Sequence, residues 1–120
     1  MKYLLLIHMN PTAFEALSPE AKEAVMSGHE AFQQPLRESG ELLGFVALAD
    51  PSNSKTVRVR DGQLSSTDGP YVEAKEFLAG YYAVECETED RAVELAGMIP
   101  DARFNAIEVR PVMAEEGLEM

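Results

Sequence analysis

Two histidines, one aspartate in a glycine–proline turn and an arginine near a tyrosine are the side chains of this 120-residue chain with the most chemistry to offer. His29 falls between Val25 and Phe32 on an otherwise apolar helical stripe. Imidazole titrates near neutrality without help, so His29 is a candidate general acid or base. It fits equally a core histidine satisfied by a backbone carbonyl. His8, where the first strand pattern ends, reads either as a capped strand residue or as a pocket wall. Asp68 precedes Gly69-Pro70, where a carboxylate bonds backbone amides just downstream; set against a histidine it would instead fix the tautomer and stabilise the imidazolium. Arg58 and Arg60 share one face of a hairpin, and Tyr71 follows the turn. Solvated charge and packing account for them, whereas Arg58, Tyr71 and Tyr81 together would grip a small acidic or phenolic ligand. Glu73, Lys75 and Glu76 resemble ordinary surface ion pairing.

Other chemistries lack their residues. There is no phosphate-binding glycine loop, HExxH, nucleophile elbow or cysteine pair. Neither histidine has a cysteine or second histidine at ligand spacing, so no metal and no cofactor are expected. The single cysteine, Cys86, allows no internal disulfide and suits a reducing cytoplasm. Net charge is −11, from 21 acidic and 10 basic residues, and no basic stripe appears, which disfavours direct nucleic-acid binding. The apolar run after Lys2 is too short for a signal segment or a membrane span. A cytoplasmic protein is the expectation.

The elements that must hold these residues follow from periodicity and punctuation. Residues 2–9 alternate with both faces apolar up to His8, as in an inner strand, and Asn10-Pro11 ends it. Ser18-Pro19-Glu20 opens a helix running to about Glu38, with a capping hydroxyl, a proline at the first position and an acid near the positive end of the dipole. Pro35 predicts a kink or an early end, and Gly40 closes the element. Residues 42–49 and 55–60 read as strands, and Asp61-Gly62 as a two-residue hairpin turn leading to a return strand over 63–67. Another strand covers 78–86. Thr88 caps a second helix with Ala92, Leu95, Ala96 and Ile99 on its buried face, and Pro100 stops it. A last strand spans 106–112.

With the hairpin set aside, the order is strand, helix, strand, strand, helix, strand. That is the ferredoxin-like split βαβ plan, an α+β sandwich with both helices on one face of an antiparallel sheet. One domain is expected over 1–113, with a flexible acidic tail over 114–120. Tyr81, Ala83 and the Leu4/Leu6 row leave the second sheet face too apolar to meet water, so a homodimer closed face to face is predicted.

Four segments, MKYLLLIHM, KTVRVRDG, TDGPYVEAKEFLAGYY and RFNAIEVRPV, together resemble the YCII-related family, and within it the DGPF-domain branch. The likeness runs from Met1 to about Val112. Tyr71 stands where that branch usually has phenylalanine, which keeps the ring and adds a hydroxyl. The resemblance implies a ferredoxin-like fold assembled as a dimeric α/β barrel. It also implies a histidine–aspartate pair that would fall on His29 and Asp68. A relative in the wider family is a dehalogenase of a chlorinated hydroxylated aromatic, and the branch tends to be associated with alternative sigma factors.

Two functions follow. In one, the protein is a small metal-independent enzyme: His29 exchanges a proton with a small aromatic or acidic substrate, Asp68 orients it, and His8, Arg58, Tyr71 or Tyr81 line the pocket. In the other, the same pocket binds a small molecule without turnover, as a dimeric module in sigma-factor or transcriptional signalling.

Overall fold

A computed structural model describes residues 1–71 and 74–117. Glu73 and the end of the acidic tail, residues 118–120, lie outside the described residues. Strand β1 (Lys2–Met9) is followed by a short helix α1 (Pro11–Glu15) and the long helix α2 (Pro19–Ser39). Strands β2 (Leu42–Ala47), β3 (Lys55–Arg60), β4 (Gln63–Asp68) and β5 (Phe77–Glu85) come next. Helix α3 (Glu89–Met98), a 3-10 turn (Pro100–Arg103) and strand β6 (Ala106–Pro111) complete the order.

The caps read from sequence form as expected. Ser18 Oγ accepts from the Ala21 amide, Thr88 Oγ1 from the Arg91 amide, and Gly40 closes α2 at φ 81° in the left-handed region. Pro35 removes one helical donor, yet α2 continues past it to Ser39, so the early end is not realised. Helix α1 was not foreseen. Asn10 does more than end β1: its side chain accepts from the Thr12 and Ala13 amides and starts that helix.

The main sheet has the order β2-β5-β1-β6 with every neighbour antiparallel, an α+β arrangement compatible with the ferredoxin-like plan. Tyr3, Leu5 and Ile7 of β1 and Tyr82 and Val84 of β5 point to one face, where Phe32 and Leu36 of α2 and Leu95 of α3 cover them. Burial of such side chains contributes about 1.5–3 kcal/mol each. The opposite face carries Leu4, Leu6, Tyr81 and Ala83, as strand alternation requires.

Strands β3 and β4 form a separate two-stranded sheet, turned at Asp61 and Gly62 with φ of 53° and 74°. Val57, Val59 and Leu64 on it are all exposed. The radius of gyration is 16.4 Å, against about 14 Å for a compact chain of this length. Among the described residues, no helix is long and apolar enough to cross a membrane.

Two register irregularities mark the pairing of β5 with its neighbours, one against β1 and one against β2. On β5, Ile7 pairs with Gly80 but His8 with Leu78, and on β2, Leu42 and Gly44 pair with consecutive residues of β5. Bulges of this kind bend a strand and re-aim its side chains. At Gly80 a β-carbon would lie 2.3 Å from the Val46 carbonyl oxygen, a contact with backbone that cannot swing away. Gly80→Ala is therefore expected to cost about 3 kcal/mol, read as a lower urea midpoint.

Glu41, just before β2, receives Arg91 Nε at 2.9 Å and Nη2 at 3.0 Å, tying the sheet edge to α3. The Arg91 hydrogen bond holds its carboxyl below the ordinary glutamate range, against a smaller opposing effect of burial. Because the folded-state pKa is depressed, this contribution is complete above the ordinary glutamate value and disappears as pH falls through the folded one. Glu41→Gln should thus lower the urea midpoint at pH 7, with the gap from wild type closing below about pH 4.

Candidate functional site

The helix-to-turn contact that builds the site starts at a glycine. A β-carbon on Gly28 would sit 2.7 Å from Cγ of Pro100, so only glycine lets α2 approach the 3-10 turn this closely without displacing the proline ring. The next residue on α2, His29, then faces the next residue of the turn, Asp101. His29 Nε2 lies 2.6 Å from Asp101 Oδ1, and the aspartate is only 3% exposed. On its other side, His29 Nδ1 lies 2.7 Å from the hydroxyl of Tyr82, on the central strand β5.

The polar set continues along α2. Gln33 Nε2 donates to the Tyr82 hydroxyl at 2.9 Å, and Arg37 Nη2 donates to Gln33 Oε1 at 2.7 Å. His29, Gln33 and Arg37 are spaced by four, which places them on one helix face. Tyr82 is fixed by packing as well, edge-on to Phe32 with centroids 4.9 Å apart. Burial pushes the Tyr82 phenol above its ordinary pKa; the Gln33 hydrogen bond opposes that and the Asp101 charge adds to it.

These groups border a cavity of about 310 Å³. Met9, Met26, Phe45, Val46 and Tyr81 give it mostly apolar walls, and His29, Gln33, Tyr82 and Asp101 form its polar corner. The volume is at the small end for a ligand pocket, and one polar corner in an apolar hollow is how such pockets orient a bound molecule.

The other residues singled out from sequence fall elsewhere, Tyr81 excepted. Within one chain, the carboxylate on His29 belongs to Asp101 and not to Asp68. Asp68 lies opposite Lys55 in the hairpin register and takes its ammonium at 2.6 Å, with the carboxylate side chain 87% exposed. Arg58 and Tyr71 do meet, the guanidinium 5.2 Å from the ring centroid, but on the exposed hairpin side rather than in the cavity. His8 lies on the outer sheet face, with Nε2 2.8 Å from Glu108 Oε1. It also borders a second, more open hollow of about 510 Å³ with Pro70 and Phe77. Hydrogen bonds from Arg110 first, and His8 second, hold the Glu108 carboxyl below its ordinary pKa.

Asp101, Tyr82 and Gln33 are the site residues that sequence reasoning missed. Pro100 reads as a helix stop, and only its second role, as the first residue of a new turn, would have drawn attention to Asp101. Among the described residues, no three His, Cys, Asp or Glu side chains converge as metal ligands.

Fold and site together define a small α+β protein with a histidine–aspartate pair beside an apolar cavity. The chain belongs to the YCII-related domain family, whose model matches residues 1–116. An uncharacterised protein of Rhizobium meliloti (strain 1021) is similar to it, 32% identical over 114 residues that cover 93% of this chain and 92% of the relative.

Removing Asp101 takes a buried acceptor from the part-buried His29, whereas removing an exposed ion-pair partner leaves nothing buried unpaired. Asp101→Ala is expected to destabilise the chain by about 2–3 kcal/mol, and Asp68→Ala to stay within about 0.5 kcal/mol of wild type. Urea denaturation of the two variants checks both values.

Proposed function

We propose that the protein is a small acid–base enzyme, with His29 and Asp101 as its proton-handling pair and the adjoining cavity as its substrate pocket. One observation carries this reading: a histidine gripped by a buried carboxylate at the only polar corner of an otherwise apolar hollow. Asp101 orients the imidazole and stabilises its protonated form, as a carboxylate behind a catalytic histidine does. The apolar walls favour a small, largely hydrophobic substrate. Proton transfer of the isomerase, lyase or hydrolytic kind needs no more than this pair and a positioned substrate.

A second copy of the chain belongs to the same proposal. Leu4, Leu6, Tyr81, Ala83 and Val46 lie side by side on the outer sheet face; Leu6 and Ala83 are already buried within the chain, and a face-to-face homodimer would cover Leu4, Tyr81 and Val46 as a dimeric α/β barrel. Tyr81 adjoins both features, with its side chain on the outer face and its stretch of strand at the rim of the cavity. Asp68, Arg58 and Tyr71, grouped around the hairpin, would serve as the outer approach rather than as proton carriers.

Binding without turnover is the second reading. It is favoured by one fact: both ring nitrogens of His29 already have partners within the protein.

Wild-type protein should sediment as a dimer and Leu4→Arg as a monomer; a monomeric wild type would sink the dimer. A thermal-shift screen of small apolar and aromatic compounds should yield ligands that raise the melting temperature of wild type but not of His29→Leu. NMR of the ligand then separates the readings, since product identifies the enzyme and unchanged ligand the binding module.

A further inference from the structure

With His29 neutral and Asp101 ionised, the five side chains of the polar set share their hydrogens in only one direction. A guanidinium has donors alone, so the Gln33 atom facing Arg37 is the carbonyl oxygen and the amide nitrogen is left facing Tyr82. The amide donates, the phenol oxygen accepts, and the phenol proton is therefore available to His29 Nδ1. Nδ1 accepts it, which places the imidazole proton on Nε2, against a carboxylate oxygen that can only accept. The cation at one end and the carboxylate at the other require the same polarity. For that neutral form, reversing any link sets two acceptors or two donors face to face and leaves a polar group unsatisfied.

It follows that neither nitrogen of His29 is open to the cavity. The Tyr82 oxygen donates to His29 and accepts from Gln33, and Tyr82 is among the residues that line the same cavity. We propose that Tyr82 is the residue through which this site exchanges a proton with a bound molecule, with His29 behind it and Gln33 and Arg37 as positioning residues. This rests on the acid–base reading given above. The molecule is a neutral, largely apolar compound bearing one weakly acidic X–H group; a carboxylate in that corner would face Asp101. In the step, the X–H bond breaks as a new O–H bond forms on Tyr82. The original Tyr82 O–H bond breaks as N–H forms on His29 Nδ1. X⁻ and the imidazolium are left, and Asp101 stays ionised. No free tyrosinate is needed, which matters because burial raises the Tyr82 pKa. The reverse step returns a proton to X⁻ by the same route.

NMR of the ¹⁵N-labelled full chain tests this without turnover. Neutral His29 should carry its proton on Nε2, with Nδ1 at the shift of a hydrogen-bonded acceptor. Tyr82→Phe should move Nδ1 towards the unbonded position. Arg37→Met and Gln33→Leu should move it the same way, and Arg37→Lys should restore it. Indole, as an N–H probe, should shift the His29 Nδ1 resonance, whereas its isostere indene should not. The proposal is overturned by a neutral His29 protonated on Nδ1, by an Nδ1 resonance that Arg37→Met and Gln33→Leu leave in place, or by indole and indene acting alike. If the relay is present but no compound is ever converted, the enzyme reading alone falls. If the relay is absent, His29–Asp101 still stands as an acid–base pair.

Discussion

Burying a carboxylate, an imidazole, a phenol and an amide between one helix and one sheet forces each polar atom to find a partner there. An unpaired buried group costs about 1–3 kcal/mol, so a half-connected set would be worse than an apolar core. Here the partners come from three elements: α2 supplies His29, Gln33 and Arg37, β5 supplies Tyr82, and the turn after α3 supplies Asp101. The set ties the long helix both to the central strand and to the far end of the second βα unit. Its connection at Arg37 reaches solvent, where a guanidinium is cheapest to keep charged. Its other end is a buried carboxylate beside a ring that can accept a proton.

Two close approaches make that geometry attainable, and each depends on a missing β-carbon. Gly28 sets the distance between α2 and the Pro100 turn, and Gly80 sets the distance between β5 and β2. The first decides whether Asp101 reaches His29. The second, with the neighbouring bulge, bends the sheet edge where Phe45, Val46 and Ala79 form the cavity wall. Polar corner and apolar wall are thus governed by different constraints. A substitution can relax one without the other, so stability and ligand fit need not change together.

Much of the fold was legible in the sequence because it rests on local rules. Ser18-Pro19, Thr88 and Asp61-Gly62 each specify a cap or a turn through their own side chains and backbone preferences, and the structure uses them so. Helix α1 and the turn after α3 escaped because Asn10-Pro11 and Pro100 each both end one element and begin another. The site was harder to see. His29 stood out as a polar residue on an apolar stripe, but its partner lies 72 residues away, and no local spacing encodes that contact. The Asp-Gly-Pro loop drew attention to Asp68, whose position opposite Lys55 in a hairpin could be inferred only from the strand register. One signal was available and unused: His29, Gln33 and Arg37 recur every four residues, a polar line inside the face that packs on the sheet. Tyr82 carried no such mark, since a tyrosine in an alternating strand looks like core until its hydroxyl is traced.

The charges on the outer sheet face bear on the proposed dimer. Two chains of net charge −11 repel each other, so a face-to-face contact is tenable only where the acidity is locally balanced. Along β6 that condition is met. Glu108 is bonded by both Arg110 and His8, and beside this row lie Leu4, Leu6, Tyr81 and Ala83. Glu85, at the end of the same face, is engaged by the amino group of Met1 at 2.7 Å. The face thus combines an apolar centre with carboxylates already neutralised within the chain. A two-fold contact would set this strip against its own copy, as isologous interfaces require. Glu87, Glu89 and Asp90, exposed around the start of α3, would stay outside the contact, where water and salt screen them.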